Sequence, residues 1–290
     1  MNNKKILRIS ISIIVLSMIL SLGLLYKLKL DKPVFISTYS EVAIDANNIN
    51  TNIQLKYISN KDDKREVIKI IFDKLSASGL KIEENNDDSY EVNCYEPYKE
   101  NICNYVVHSV DLCFLDLKLE EDKNVAYLSK ATVVFSDGSK QKVDLGQIVL
   151  YKGNYRTVGV DCIGSSTNEN NVEYNFYVNE NVKIERVESY LIDKVPDIFE
   201  YKVQVSPLGK AAYEDYSKDT VINKTSVIKL SVNKKKSNDV IEEYTTYNIN
   251  PKIYFINESN DRYSVSCSGY TESKYSFLGI CKYLRARGEI

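Results

Sequence analysis

The chain carries one histidine, His108, so any Ser-His-Asp or Cys-His relay must be built on that single imidazole. It sits in YVVHSVDL, where Val106 and Val110 share its face by alternation, and a strand histidine satisfied by hydrogen bonds is a simpler reading than a general base. No serine is framed by G-x-S-x-G. The cysteines, Cys94, Cys103, Cys113, Cys162, Cys267 and Cys281, include no C-x-x-C pair and have no histidine placed at a spacing that suggests a zinc site, which argues against a thiolate metal site. The glycines are scattered and form neither G-x-G-x-x-G nor a Walker A run, so nucleotide chemistry is disfavoured. Asn85-Asn86-Asp87-Asp88 and Asn257 to Asp261 offer oxygen ligands for calcium, but neither has EF-hand spacing and both suit solvated hairpin loops. A glycosidase pair of carboxylates stays open, since their separation in space is not readable from sequence. No catalytic, cofactor or metal residue is assigned.

Tyrosine is the abundant residue type that could serve recognition, because it joins rigid apolar area to a polar hydroxyl. Tyr95, Tyr98 and Tyr105 in the first half and Tyr244, Tyr247, Tyr254, Tyr263 and Tyr270 in the second are the candidates for a contact face. Tyrosine is also a good strand residue, so abundance alone does not establish such a face.

The elements that must position these groups begin with Ile9 to Tyr26, ISISIIVLSMILSLGLLY, uncharged and preceded by the basic MNNKKILR. As a helix it spans roughly 27 Å, close to a bilayer's hydrocarbon thickness. The run exceeds a signal-peptide core, KLKLDKP offers no small-x-small cleavage site, and the first cysteine is Cys94, which together predict a retained signal anchor without lipid. Ser10, Ser17 and Ser21 fall near one line of that helix and form a candidate helix-packing stripe, the alternative being serines merely tolerated in the span. Residues 1–32 hold six Lys/Arg and one acid, leaving 32 basic and 39 acidic residues beyond, a net −7 that disfavours nucleic acid as a partner. Flanking charge is tied at three against three, so topology rests on weaker arguments: N-terminus inside, the remainder outside.

After the anchor the pattern becomes short alternating segments: Val34 to Ile44, Asn52 to Ser59 joined as a hairpin to Arg65 to Phe72 through Lys61-Asp62-Asp63-Lys64, Tyr90 to Tyr95, and Asn104 to Leu119. ATVVF-SDGS-KQKVDL reads as a tight hairpin with both central residues, Asp137 and Gly138, at positive φ. The polar stretch around GSSTNENN reads as an inter-domain linker, and six further β-prone segments follow, among them Ile241 to Ile256. Phe277, Ile280, Cys281 and Leu284 then recur at helical spacing, with Lys282, Arg285 and Arg287 toward the end and Gly288 as a stop; this helix is expected to cover one end of the second sandwich.

The predicted architecture is mainly β: a cytoplasmic tail 1–8, a transmembrane helix 9–26, two antiparallel β-sandwich-like domains over 33–155 and 172–290 separated by a linker 156–171, and a C-terminal amphipathic helix. In an oxidising exterior, Cys94 and Cys103 are the expected disulfide. The short basic tail, single span, ATVVFSDGSKQKVDLGQIVLYK hairpin and RARGEI ending resemble uncharacterised single-pass membrane-anchored proteins of clostridia and related low-GC Gram-positive bacteria. That resemblance implies an exported location and brings no activity, cofactor or site. The expected role is non-enzymatic binding or scaffolding outside the membrane, with another envelope protein as partner. The rivals are a cell-wall-acting enzyme and a membrane-linked sensor or regulator.

Overall fold

The computed structural model describes residues 3–44, 51–73, 80–82, 89–114, 117–119, 124–152, 159–168, 170–195, 197–209, 212–217, 220–267, 269–271 and 273–290. The acidic run Asn85 to Asp88 lies outside them. Helix α1 (Asn3–Lys27) is followed by β1 (Val34–Ile36), β2 (Thr38–Ile44), β3 (Thr51–Asn60), β4 (Val67–Asp73), β5 (Leu80–Ile82), β6 (Ser89–Ile102), β7 (Tyr105–Phe114), β8 (Leu117–Leu119), β9 (Val125–Phe135) and β10 (Lys140–Lys152). The second half holds β11 (Val160–Thr167), β12 (Asn171–Val178), β13 (Val182–Glu188), a 3-10 turn (Ile192–Lys194), β14 (Phe199–Pro207), β15 (Glu214–Asp215), β16 (Ser226–Lys234), α2 (Val240–Tyr244), β17 (Thr246–Ile249), β18 (Lys252–Asn257), β19 (Arg262–Ser266), β20 (Gly269–Thr271) and α3 (Phe277–Ala286). The mainly β class with antiparallel sheets is as the alternation predicts. Within Ile241 to Ile256, however, the first residues are the short helix α2, whose N-cap Asp239 accepts from the Ile241 N–H at 2.8 Å.

The first lobe is two layers of one bent sheet, ordered β1-β3-β7-β6-β4-β9-β10-β2-β17-β20. The corner is β6, which pairs with β4 at its start and with β7 at its end. Within the part paired to β7, Pro97 lacks the N–H that the ladder needs, and the register shifts between Tyr95 and Tyr98. β3 and β4 are therefore not a hairpin: β3 pairs with β1 and β7, and β4 with β6 and β9, on the opposite layer. The layers enclose a core that includes Leu55, Ile70, Val110, Leu112, Val133, Ile148 and Leu150.

The turn around Asp137 also departs from the two-residue form. Only Gly138 has positive φ, at 81°, and the Phe135 N–H donates to the Ser139 carbonyl at 2.9 Å, which closes a three-residue loop. Asp137 supplies its own side chain, accepting from the Ser139 N–H at 2.9 Å, and so stays in ordinary backbone space.

The second lobe packs the sheet β11-β12-β16-β14-β15 against β13-β18-β19 around Phe176, Ile184, Ile228, Leu230, Ile253 and Phe255. Residues 160–167, expected inside the linker 156–171, form β11, paired with β12; residues 153–158 lie outside the description. The lobes share a sheet, because β2 pairs in parallel with β10 on one side and with β17 on the other. Alternate residues of β10 serve both cores, Ile148 and Leu150 the first and Val149 the second. A parallel pair requires a long connection, so this fusion leaves no local trace in the sequence.

α3 does not cap the second sandwich. Its buried face, Ile280, Cys281, Tyr283 and Leu284, forms a third cluster with Leu30, Val34, Ile36, Ile58 and Tyr105 on the outer side of the first lobe. Ser276 caps its start and Gly288, at φ 72°, follows its end as predicted. α1 runs 25 residues with its side chains from Ile9 to Ser21 exposed. Among the described residues no helix is long and apolar enough to cross a membrane; the side chains at 22, 24 and 25 are outside the description. The span expected over 9–26 is thus supported as a helix alone.

Candidate functional site

His108, on β7, lies directly across from Tyr57 of β3 and Lys99 of β6. Its ring stacks flat on Tyr57, 4.1 Å between centroids and 5° between planes. Alternation along β6 places Glu96 on the inner side with Val92 and Cys94 and turns Tyr95 outward, and the bulge at Pro97 sends Tyr98 outward as well; the Glu96 side chain is 5% exposed. Glu96 Oε2 meets His108 Nδ1 at 3.0 Å and Lys99 Nζ at 3.4 Å, while Oε1 accepts from the Tyr57 hydroxyl at 2.6 Å and the Val67 N–H at 2.8 Å. Burial acts to raise the Glu96 pKa, but hydrogen bonds from His108, Tyr57 and Val67 outweigh it and hold the carboxyl down at about 2. An ionised carboxylate only accepts, so Nδ1 carries a proton toward it, and Nε2 meets the Ser59 hydroxyl 2.8 Å away.

Ser59, His108 and Glu96 therefore stand in the order of a hydroxyl–imidazole–carboxylate relay. The relay is closed: Ser59 is 1% and His108 3% exposed, and the Ser59 hydroxyl is also 3.2 Å from the Asn60 carbonyl. A nucleophile needs an open approach to its oxygen and donors for the developing oxyanion, and a buried serine within a paired strand offers no such approach. What the cluster does is satisfy every heteroatom of Glu96 and His108 at the polar end of the first core, and tie β3, β6 and β7 to the start of β4. Sequence reading had the histidine but missed Ser59, Tyr57 and Glu96. The available signal was alternation along β6, which sets Glu96 on the same face as Val92 and Cys94.

A second buried carboxylate lies where the lobes join. Glu41 of β2 is fully buried, on the face opposite Val42 and Ile44, which pack on the first core. It accepts from the Ser189 hydroxyl and from the Leu191 N–H at 2.6 Å, both on the segment that follows β13. Its Oε2 is buried without a hydrogen-bond partner. Burial raises its pKa to about 7 against the opposing bonds from Ser189, Leu191 and Asn250 and the charge of Lys252. Lys252 is itself 8% exposed, with its Nζ 3.4 Å from the Tyr151 ring centre and 4.6 Å from that of Tyr190. Burial lowers its pKa to about 8, with Glu41 and Glu188 acting the other way.

The remaining candidates separate in space. Of the eight candidate tyrosines, Tyr95 and Tyr98 are widely exposed, at 70% and 60%, and Ile68 is exposed on the neighbouring β4; Tyr105, Tyr244, Tyr247 and Tyr263 are core residues, Tyr254 stacks under Arg186, and the Tyr270 side chain lies outside the description. Ser10, Ser17 and Ser21 are all exposed on α1, and the Ser17 hydroxyl donates to the Ile14 carbonyl at 2.8 Å. Cys94 and Cys103 are free thiols. The expected bridge is not formed, because Cys94 lies within β6 and Cys103 just past its end, and nine residues of mostly extended chain hold them roughly 25 Å or more apart. Among the described residues no group of three or more His, Cys, Asp or Glu could hold a metal ion. The Asn257 to Asp261 segment is a hairpin loop closed on itself, the Asp261 N–H donating to Asn257 Oδ1 at 2.8 Å.

No protein-family model matches the chain, and no curated protein matches it. Among solved structures it aligns with the YadV chaperone (10% identity, 81% of this chain and 98% of that one, TM-score 0.20). It aligns likewise with fibronectin(III)-like modules of Clostridium thermocellum CbhA (11%, 83% and 95%, 0.22). A third is CfaE, the adhesive subunit of the CFA/I fimbria of enterotoxigenic Escherichia coli (11%, 86% and 88%, 0.27). TM-scores this low carry no argument, so the class of the protein, mainly β with several antiparallel sheets, rests on its own strand pairing.

Proposed function

We propose that the protein is a non-enzymatic, single-pass envelope protein, with its N-terminus in the cytoplasm and its β lobes outside the membrane, where they bind or space another envelope protein. The observation that carries this reading is the contrast between α1 and its exit. Ile13, Leu16, Met18 and Leu20 are about 60% exposed along the helix, an apolar surface that calls for a nonpolar environment, whereas the residues just after it are locked into the body. The Tyr105 hydroxyl donates to the Leu28 carbonyl at 2.5 Å, Asn60 exchanges hydrogen bonds with the Leu30 backbone at 2.9 and 2.6 Å, and Leu30 is buried among α3 residues. A body clamped so closely to its anchor is suited to presenting a surface at a set height and orientation. Tyr95, Tyr98 and Ile68 at the β6 corner are the contact residues best placed for a protein partner.

Protease added to intact protoplasts should degrade the lobes, and a phosphatase fused after Ile290 should be active in a reporter host. Full protection together with an inactive fusion would place the lobes in the cytosol and overturn the reading. The Ser59–His108–Glu96 geometry favours one other reading, a hydrolase that opens the relay on contact with the wall. A fluorophosphonate probe should leave Ser59 unlabelled in membranes with intact wall material; labelling there that disappears in Ser59→Ala would establish the hydrolase instead.

A further inference from the structure

We propose that the foot of the first lobe is a docking surface for anionic lipid headgroups, formed jointly by the exit of α1 and the outer face of α3. The inference rests on the membrane-anchor reading above and adds what the body itself does at that membrane. Two segments from opposite ends of the chain meet at Tyr105, whose hydroxyl takes the Leu28 carbonyl and whose ring stacks on Phe277, 6.2 Å between centroids. If α1 crosses a bilayer, α3 must therefore lie beside the point where the chain leaves it.

The outer face of α3 has the composition of a surface-lying helix. Leu278, Lys282 and Arg285 follow one another at i, i+4 and i+7, on the side away from buried Ile280, Cys281 and Leu284. Leu278 is 72% exposed, and Lys282 and Arg285 are exposed beside it. At the α1 exit, Lys27, Lys29 and Lys32 are exposed, and Tyr26 is 84% exposed at the height where a ring would enter the headgroup layer. The acids close by in sequence or contact are Asp31, Asp62 and Glu289, together with Asp239, Glu242 and Glu243 at α2, which packs against α3 through Tyr244; Asp62 pairs with Lys29 at 3.0 Å and Glu242 accepts from the Ser237 hydroxyl, and the cations of the foot lie at the α1 exit and beside Leu278. Residues 33–290, α3 included, are net −7, so the cations at the α1 exit and beside Leu278 stand out against an acidic body. An anionic surface attracts each nearby Lys or Arg, and a leucine beside two cations inserts its side chain between headgroups. Lipid contact through α3 would then add to the Tyr105 clamp and hold the body upright on the bilayer.

The test uses full-length protein reconstituted into vesicles of phosphatidylcholine alone or with added phosphatidylglycerol. Flotation reports anchoring, and amine labelling followed by mass spectrometry compares Lys282 with Lys202, an exposed lysine of the second lobe. Protein should float with both vesicles, and Lys282 labelling should fall about fivefold relative to Lys202 only with phosphatidylglycerol, the protection being lost at high salt. Arg285→Glu and Leu278→Ser, both on the exposed face, should weaken the protection without changing thermal unfolding. Flotation with both vesicles but equal Lys282 labelling in the two would overturn the docking surface and leave the anchor standing. Failure to float with either would overturn the anchor and this surface with it.

Discussion

Glu96 and Glu41 are both buried carboxylates in strands of the same bent sheet, yet their surroundings push them in opposite directions. Glu96 has each oxygen occupied, by a histidine and a lysine on one side and by a tyrosine hydroxyl and a backbone N–H on the other, and is held ionised. Glu41 has one oxygen occupied and one facing no donor, with its nearest cation, Lys252, drawn instead over two tyrosine rings, and is held toward neutrality. The difference lies in the number of donors supplied, since both side chains are shielded from water. The first arrangement locks one lobe internally, and the second leaves a titratable group where the two lobes share β2.

The largest effect should come from breaking the satisfied network. Glu96→Ala strips partners from His108 Nδ1, the Tyr57 hydroxyl and the Val67 N–H together, and should cost about 3–4 kcal/mol in urea unfolding at neutral pH. A loss below about 1 kcal/mol would show that the network relaxes freely and contributes little.

Next in size is pH dependence, where the two carboxylates should differ in sign. Glu96, with a folded pKa of about 2, contributes about 3 kcal/mol that is present above the unfolded carboxyl pKa and lost as pH falls toward 2. Glu41, with a folded pKa of about 7, binds more protons folded than unfolded between about pH 4.5 and 7, so stability falls by about 3 kcal/mol as pH rises through that window. The difference between wild type and Glu41→Gln, followed by urea midpoints across pH, should show that slope, and Glu41→Gln should be at least as stable as wild type above pH 7. A flat difference curve would mean that water or a shifted donor reaches Glu41 Oε2.

Smaller changes sharpen the contrast. Lys252→Met removes the cation that favours ionised Glu41, so the bend in the same difference curve should move to higher pH, while the lost contacts with Tyr151 and Tyr190 cost about 1 kcal/mol. An unmoved bend would remove Lys252 from the account. Ser59→Ala takes one hydrogen bond from His108 Nε2 and should cost about 1 kcal/mol. It should leave the acid limb set by Glu96 where it is; a displaced limb would show that Ser59 helps fix the imidazole.

Features that depend on nearest neighbours were open to reading from the amino-acid order alone. Alternation marked most strands, Asp137-Gly138 marked a turn, Gly288 follows a helix whose apolar stripe was visible, and the uncharged run 9–26 is helical. Tertiary structure decided what touches what. It joined β2 to β10 and β17, placed α3 beside the α1 exit instead of on the second lobe, converted part of the expected linker into β11, and separated Cys94 from Cys103. It also made the Ser59–His108–Glu96 cluster from three strands, and the Glu41 site from residues some 150 to 210 positions apart. The physical reason is that strand periodicity records which face of a residue is buried but not which partner buries it. Pairing across long connections is chosen by the summed burial of whole sheets, a quantity no local window contains.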